Sequence, residues 1–499
     1  MRQRTTFFHR DEDAIQPSSI KVKGRSISGP DITAVREDRF TLGLDELPSD
    51  LKELLTNISE LHLRWASPAR YDTLGPWTSR LPPGLHVFYT PQHDDATGPR
   101  DPICAFLRGF MPQENCTDSL DHFSQLPYDR FSHATAYQSY YPSRSLSAFA
   151  EYASQYLCSA SDDGCKTRMR ALDQAKSFDF SYDTISHVVK VTVLWGHQKQ
   201  PLDITSHSDH RVEVGLLVPD STGAIEDHEL GVAGLLTILG EDSNPSPVLF
   251  SFPARHKSAG ATFSAEFLSP LGLHPTMQLQ VDSSEPPMKD SFCSLHAYFT
   301  LPNTIFADKY QLDDPLFLAS KNLTALRYIS QPIDLEAPSY VMKLWGSSLL
   351  LELKPPAEDE AVAFTAEVPL HLRYQVPQDG GEESVTTPYP AVFWACAAEE
   401  GTKFPNSPFD RVNIGYDGLF GPRTLFWHLD PAPQEGVKDL MLTDSVPVLD
   451  LGQALLISPL TAAVVVAGFA WVVWKLVAVF MKSGYGAQQS PGREVKKTQ

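Results

Sequence analysis

The clearest pattern in the chain is a period of two. From Val362 to Val376 every even position is apolar: Val362, Phe364, Ala366, Val368, Leu370, Leu372, Tyr374 and Val376. The odd positions include Thr365, Glu367, His371, Arg373 and Gln375. Such alternation predicts a long, half-buried antiparallel strand, with Pro369 marking an edge or a bulge. Cys293–Leu301 repeats the pattern, with Leu295, Ala297, Phe299 and Leu301 on one face. Further strands are predicted at His187–Trp195, Val212–Val218, Thr262–Phe267 and Met277–Val281. Helical spacing is rare before residue 450; Ser145–Leu157 is one short helix. The fold class that follows is mainly β, built of sandwich-like units.

One run breaks the pattern. Leu455–Trp474 carries no charge over about 30 Å of helix, the thickness of a bilayer core. Pro459 sits near its start, and Trp471 and Trp474 sit near its end, where indoles favour the interface. The chain therefore reads as a single-pass membrane protein. Along that helix Ala463, Ala467 and Ala470 fall at i, i+4 and i+7, a small-residue face on which another helix can pack. The flanks differ in charge. Glu435, Asp439, Asp444 and Asp450 stand against Lys438 before the span. Lys475, Lys482, Arg493, Lys496 and Lys497 stand against Glu494 after it. The positive-inside rule puts the short tail in the cytosol and the large N-terminal part in a lumen. The opening MRQRTTFFHRDEDAIQ has no apolar signal core, so on topology signals alone a tail anchor with a cytosolic domain stays open.

These signals divide the chain into a polar N-terminal arm (1–35) and a mixed, mostly β region (36–285). A β-sandwich-like domain (286–434) follows, set off by the SSEPPMKD stretch at Ser283–Asp290. An acidic linker (435–453), the membrane helix (454–481) and a basic tail (482–499) complete the chain.

Composition narrows the function. With 41 basic and 61 acidic residues the net charge is −20, which repels phosphate backbones and argues against nucleic acid as a partner. The 40 prolines agree with short strands and many turns. Three sequons, at Asn57, Asn115 and Asn322, and six cysteines suit an oxidising, glycosylating compartment. Cys158 and Cys165 bracket a short segment and could close a small loop. Sites for catalysis are weak. Asp11-Glu12-Asp13 matches a D-x-D pattern but lies in the polar arm. His207-x-x-His210 with Asp209 lacks a clear third ligand. No phosphate loop, dinucleotide fingerprint or zinc-protease motif occurs. No catalytic residue, metal or cofactor is assigned.

Four segments add a resemblance: SFCSLHAYFTLPNTIFADKYQL (Ser291–Leu312), DLEAPSY (Asp334–Tyr340), VPLHLRYQVP (Val368–Pro377) and YPAVFWAC (Tyr389–Cys396). In this order they resemble the PIG-X family, whose fungal members are called protease B non-derepressible homologues. The resemblance implies a non-catalytic subunit of glycosylphosphatidylinositol (GPI) mannosyltransferase I in the endoplasmic reticulum membrane. Its partner would be a PIG-M-type polytopic catalytic subunit, which moves the first mannose from dolichol-phosphate-mannose to the glucosaminyl-phosphatidylinositol intermediate. It also favours the lumenal topology. The motif residues His296, Asp308, His371, Arg373 and Tyr374 would serve structure or partner contact. His296 and His371 are expected on polar strand faces, Arg373 beside Asp308 or Glu336, and Tyr374 in the core. Both Cys293 and Cys396 belong to the resemblance, which implies a disulfide between their strands. The alternative is a general lumenal chaperone with many clients; a lumenal enzyme without a familiar motif is the third reading. Co-purification of one dominant polytopic partner separates the first from the second.

Overall fold

The computed structural model describes residues 1–92, 103–104, 106–107, 119–127, 134–156, 163–207, 210–220, 226–356, 361–402, 404, 407–409, 411, 415–434, 436–437 and 439–484. Two large sheets dominate it. The first has 11 strands. In spatial order they are Ser246–Pro253, Glu229–Ile238, Arg211–Pro219, Arg2–Phe8, Ile32–Gly43, Val188–Gln200, Ser177–Asp183, Ile58–Ala66, Gly84–Pro91, Tyr137–Tyr141 and Ser124–Gln125. The second has 8 strands, in the order Leu323–Ile329, Gly346–Leu353, Cys293–Pro302, Ala391–Ala397, Thr424–Pro431, His256–Phe267, Thr276–Val281 and Phe364–Pro369. The chain is mainly β, as its alternation predicts.

Within the stretch expected as a polar arm, Arg2–Phe8 forms an inner strand instead. Arg2–Phe8 pairs parallel with Arg211–Pro219 on one side and antiparallel with Ile32–Gly43 on the other. Phe7 and Phe8 are fully buried, each in a different apolar cluster. Short length and flanking charge hid a strand whose two phenylalanines point to opposite faces. The division at residue 286 also moves. Strands His256–Phe267 and Thr276–Val281 belong to the second sheet, where they join Thr424–Pro431 and Phe364–Pro369. The change of sheet falls between Pro253 and His256.

By contact the chain separates into Met1–Tyr374 with Val385–Asp444, and Gln375–Ser384 with Ser445–Gln499. Both large sheets lie in the first unit. The second carries the helix Leu451–Ser483, capped by the Asp450 carboxylate on the Gly452 and Gln453 amides. That helix is long and apolar enough to cross a membrane, and it contains Ala463, Ala467 and Ala470.

The two sheets meet through buried polar contacts as well as apolar ones. Gln138 of the first sheet donates to the Tyr298 hydroxyl of the second (3.2 Å). Tyr298 donates to Ser348 (3.1 Å), and Ser348 donates back to Gln138 (3.2 Å). Trp345 donates to the Gln138 carbonyl (3.0 Å), and the Tyr416 hydroxyl donates to that of Arg80 (3.0 Å). The connection between Ala391–Ala397 and Thr424–Pro431 reaches across. There Phe409 packs on Trp77 and Phe252, and the Pro408 carbonyl accepts from Arg4 and Arg39. Arg411 joins Arg64 and His62 around the buried Asp179 carboxylate, at 3.4, 2.7 and 2.9 Å. Desolvation alone would raise the pKa of Asp179, but the two guanidiniums and His62 hold it well below the usual carboxylate range.

This packing explains why Cys293–Pro302 is not half-exposed. Its apolar face, Leu295, Ala297, Phe299 and Leu301, fills the interior of its own sheet, and its other face is buried too. Cys293 lies directly opposite Cys396 in the ladder and forms a disulfide with it, as the resemblance implied.

Candidate partner-binding surface

Four loop and strand-end segments come together at one edge of the second sheet. The organiser is Pro369, which has no N–H to give a ladder. The strand ends there, and the alternation changes phase. Leu370 donates to the Pro275 carbonyl (2.9 Å), Leu372 to that of Leu273 (2.9 Å) and Arg373 to that of Thr304 (2.9 Å). His371–Leu372 pairs instead with Ile305–Phe306. The continuous strand expected over Val362–Val376 is therefore two pieces, Phe364–Pro369 and His371–Leu372. As a result Arg373 is buried and Tyr374 is 66% exposed, the reverse of the expectation for Tyr374.

Around this break the polar groups are fixed. His371 Nδ1 meets His274 Nδ1 at 2.9 Å, and its Nε2 meets Gln311 Oε1 at 3.2 Å. Its ring stacks on Phe306 at 5.2 Å. Burial, then the neighbouring His274, lowers the His371 pKa. A contact between two ring nitrogens needs one donor and one acceptor, so it suits neutral rings. The Arg373 guanidinium lies 4.4 Å over the Phe306 ring and donates to the Ala337 carbonyl (2.8 Å). Asp308, one of the carboxylates expected beside Arg373, caps its own turn by accepting from the Tyr310 amide (2.8 Å). Asp334 accepts from the Glu336 and Ala337 amides (2.8 and 2.9 Å), which lowers its pKa. These contacts hold Asp334–Tyr340 against the break, and Ser339 N–H donates to the Tyr374 carbonyl (3.0 Å).

What the framework presents outward is apolar and aromatic. Tyr310, Tyr340, Val341 and Tyr374 are each more than 60% exposed, and Leu273 is half-exposed beside them. Exposed aromatics held on a rigid polar frame suit a protein interface. Three of the four resemblance segments supply this surface. Sequence reasoning missed His274, Leu273 and Val341, which lie outside those segments.

The other sequence candidates are dispersed. His296 is not on a polar surface but buried between Phe393 and Phe420, with Nε2 2.8 Å from Ser294 Oγ. Burial, aided by Arg327, pushes its pKa down to about 3. His296 and His371 do not meet. Asn57 and Asn322 are exposed, whereas Asn115 and Cys158 lie outside the described residues. Cys165 falls within the helix Asp163–Ala171. Asp11–Asp13 forms a short helical turn, with Asp13 on His197 (3.2 Å). His207 and His210 pack edge to face. Among the described residues no group of three or more His, Cys, Asp or Glu is placed to hold a metal ion.

The family model "PIG-X / PBN1" matches residues 270–477. The whole chain is also similar to curated fungal proteins. It is 54% identical over 499 residues to Protein pbn1 of Neurospora crassa, covering 100% of this chain and 99% of that one. It is 44% identical to Protein PBN1 of Gibberella zeae, covering 97% of each. It is 40% identical to Protein pbn1 of Emericella nidulans, covering 99% of this chain and 100% of that one. By these full-length matches the chain belongs to the PIG-X / PBN1 family.

Proposed function

We propose that this chain is the non-catalytic, stabilising subunit of GPI mannosyltransferase I. Membership in the family implies an accessory role in GPI-anchor biosynthesis. The finer reading adds a PIG-M-type catalytic subunit as the partner and the transfer of the first mannose as the step served. It sets the two sheets in the endoplasmic reticulum lumen and the basic tail in the cytosol.

The observation that carries this reading is the convergence of Ser291–Leu312, Asp334–Tyr340 and Val368–Pro377 on one exposed aromatic surface. Side chains within the range that the family model matches, Arg373 and His371 among them, are spent there on holding a surface in shape. A physical argument supports the division of labour. A polyprenyl-linked donor and a lipid acceptor both reside in the bilayer, so a site for them needs several membrane helices and a carboxylate at membrane depth. The helix Leu451–Ser483 is one helix, and its sequence contains no Asp or Glu. Such a chain supports an enzyme of this kind rather than housing its site.

The test replaces Tyr340 and Tyr374 with Ala, singly and together. Both side chains are exposed, so thermal stability should hold within about 0.5 kcal/mol. Co-purification of the catalytic subunit in mild detergent should fall at least tenfold in the double variant. Unchanged recovery of that subunit would remove this surface from the interface. Recovery of many unrelated clients, with no dominant polytopic partner, would favour a general chaperone.

A further inference from the structure

The strand Ser246–Pro253 is an outer edge of the 11-stranded sheet and pairs on one side only, with Glu229–Ile238. Bonded and unbonded pairs alternate along an antiparallel ladder. Ala254 N–H donates to the His228 carbonyl (2.8 Å), which fixes the phase. Val248, Phe250 and Phe252 therefore bond inward, opposite Gly234, Val232 and Leu230. Pro247, Leu249, Ser251 and Pro253 turn their backbone groups outward. Among the described residues no other backbone group bonds to them there. The two prolines have no N–H, so the donors on this edge are the Leu249 and Ser251 amides. The strand contains no charged residue, although charge is a common guard against pairing at an edge. Leu249 is 69% exposed and Phe250 40%. The Phe250 ring stands 6.1 Å from that of Phe252, on the face where Val248 and Phe252 join an apolar cluster.

We propose that this edge is an interface with a second copy of the same chain, in which two Ser246–Pro253 strands pair antiparallel about a two-fold axis at Phe250. The placing of the prolines selects that register. Pro247 and Pro253 stand symmetrically about Phe250. The axis sets Pro247 of one copy opposite Pro253 of the other, where neither is asked for a donor. Between them Leu249 faces Ser251 of the second copy, and both donors of each strand meet a carbonyl. Sliding the pairing by two residues sets Pro247 opposite the Ser251 carbonyl, which is then left without a donor. The same axis brings Phe250 against Phe250 of the second copy in an unbonded pair, where side chains approach closest, and Val248 against Phe252. No charge is buried in the process. The contact is isologous, so it uses up the edge and stops at two copies. A single pair of edge strands is small beside a permanent interface, so the dimer is reversible.

The experiment uses the full chain in mild detergent. Phe250→Cys should give an intermolecular disulfide under mild oxidation, because opposed unbonded positions lie about 4.5 Å apart at Cα, within disulfide reach. Leu249→Cys alone should stay at the parent's background and should cross-link once mixed with Ser251→Cys. Leu249→Pro deletes an outward donor and no inward bond. Its dimer, followed by sedimentation as protein concentration is raised, should weaken by about tenfold or more. Leu249→Lys should do the same with an unchanged urea midpoint, and it decides the matter where the proline variant misfolds. A chain that sediments as a monomer throughout, or a Phe250→Cys variant that does not cross-link, overturns the interface. Equal cross-linking of Phe250→Cys, Leu249→Cys and Ser251→Cys, each alone, overturns the register. A folded Leu249→Lys variant that dimerises as the parent does places the contact on another surface and overturns the edge. Cross-linking of Phe250→Cys to a co-purified polytopic subunit in place of a second copy overturns the choice of partner.

Discussion

Replacing Asp179 by Asn should weaken the lock between the two sheets. The carboxylate is buried in Ser177–Asp183 of the first sheet and meets His62 Nε2 at 2.9 Å, Arg64 Nε at 2.7 Å and Arg411 Nε at 3.4 Å. Arg411 arrives from the connection between two strands of the second sheet, so one side chain couples both layers. The amide preserves the shape and removes the charge. Two guanidiniums are then left buried without their carboxylate. Breaking a buried pair in this way costs about 3–5 kcal/mol, a large share of a total stability of about 5–15 kcal/mol. The assay is urea unfolding of the purified full chain in mild detergent, followed by tryptophan fluorescence. With a denaturant slope of about 3 kcal/mol/M, the midpoint should fall by about 1–1.7 M. Adding Arg411→Leu should cost less than it does alone, with a coupling of about 1–3 kcal/mol. Arg144→Ala, which removes a surface pair with Asp439, should shift the midpoint by under about 0.3 M. A shift for Asp179→Asn as small as that of Arg144→Ala, or strict additivity with Arg411→Leu, would refute the reasoning.

Acidification should destabilise the chain well above the carboxylate range. Burial lowers His86 to about 4, lowers His296 and His428 to about 3, and pushes His256 well down. Their neutral forms stabilise the fold above the unfolded value of about 6.5, and that contribution is lost as pH falls toward the folded values. Four such groups remove about 4 kcal/mol between pH 6.5 and 5.5, read as a falling urea midpoint; a flat profile there would contradict their burial. Cys293→Ala with Cys396→Ala opens a link spanning 103 residues and should lower stability by about 2–4 kcal/mol, while peptide mapping of the parent finds the pair joined. Arg373→Ala removes the guanidinium from Phe306 and from the Ala337 carbonyl. It should cost about 1–3 kcal/mol and speed proteolysis within Asp334–Tyr340, and unchanged cleavage would count against the framing role.

The strands with clean alternation were legible in the sequence, with ends shifted by a few residues. Phe364–Pro369 keeps Phe364, Ala366 and Val368 inward as the pattern says. The pattern fails at Pro369, because a period cannot report where the chain leaves one sheet for another. Tyr374 was misplaced for that reason. Cys293–Pro302 fails differently. Its second face carries Ser294, His296, Tyr298 and Thr300, which read as solvent-facing. Tyr298 is covered because Gln138 of the other sheet lies on it, and His296 because Phe420 of the following connection packs over it, and alternation along one strand holds no trace of either partner. Arg2–Phe8 was hidden because its neighbours come from residues 32–43 and 211–219. The segments shared with the family marked the candidate surface, while its exposed rim emerged only when distant loops were brought together.

The central claim is that this chain sustains a catalytic partner rather than performing the transfer. The most direct measurement supplies extra PIG-M-type catalytic subunit to cells that lack this chain, and follows both its abundance and mannose addition to glucosaminyl-phosphatidylinositol. The account predicts that the partner is scarce without this chain, that the intermediate accumulates, and that overexpression restores part of the transfer. Normal abundance and assembly of the partner with no transfer at all would contradict it.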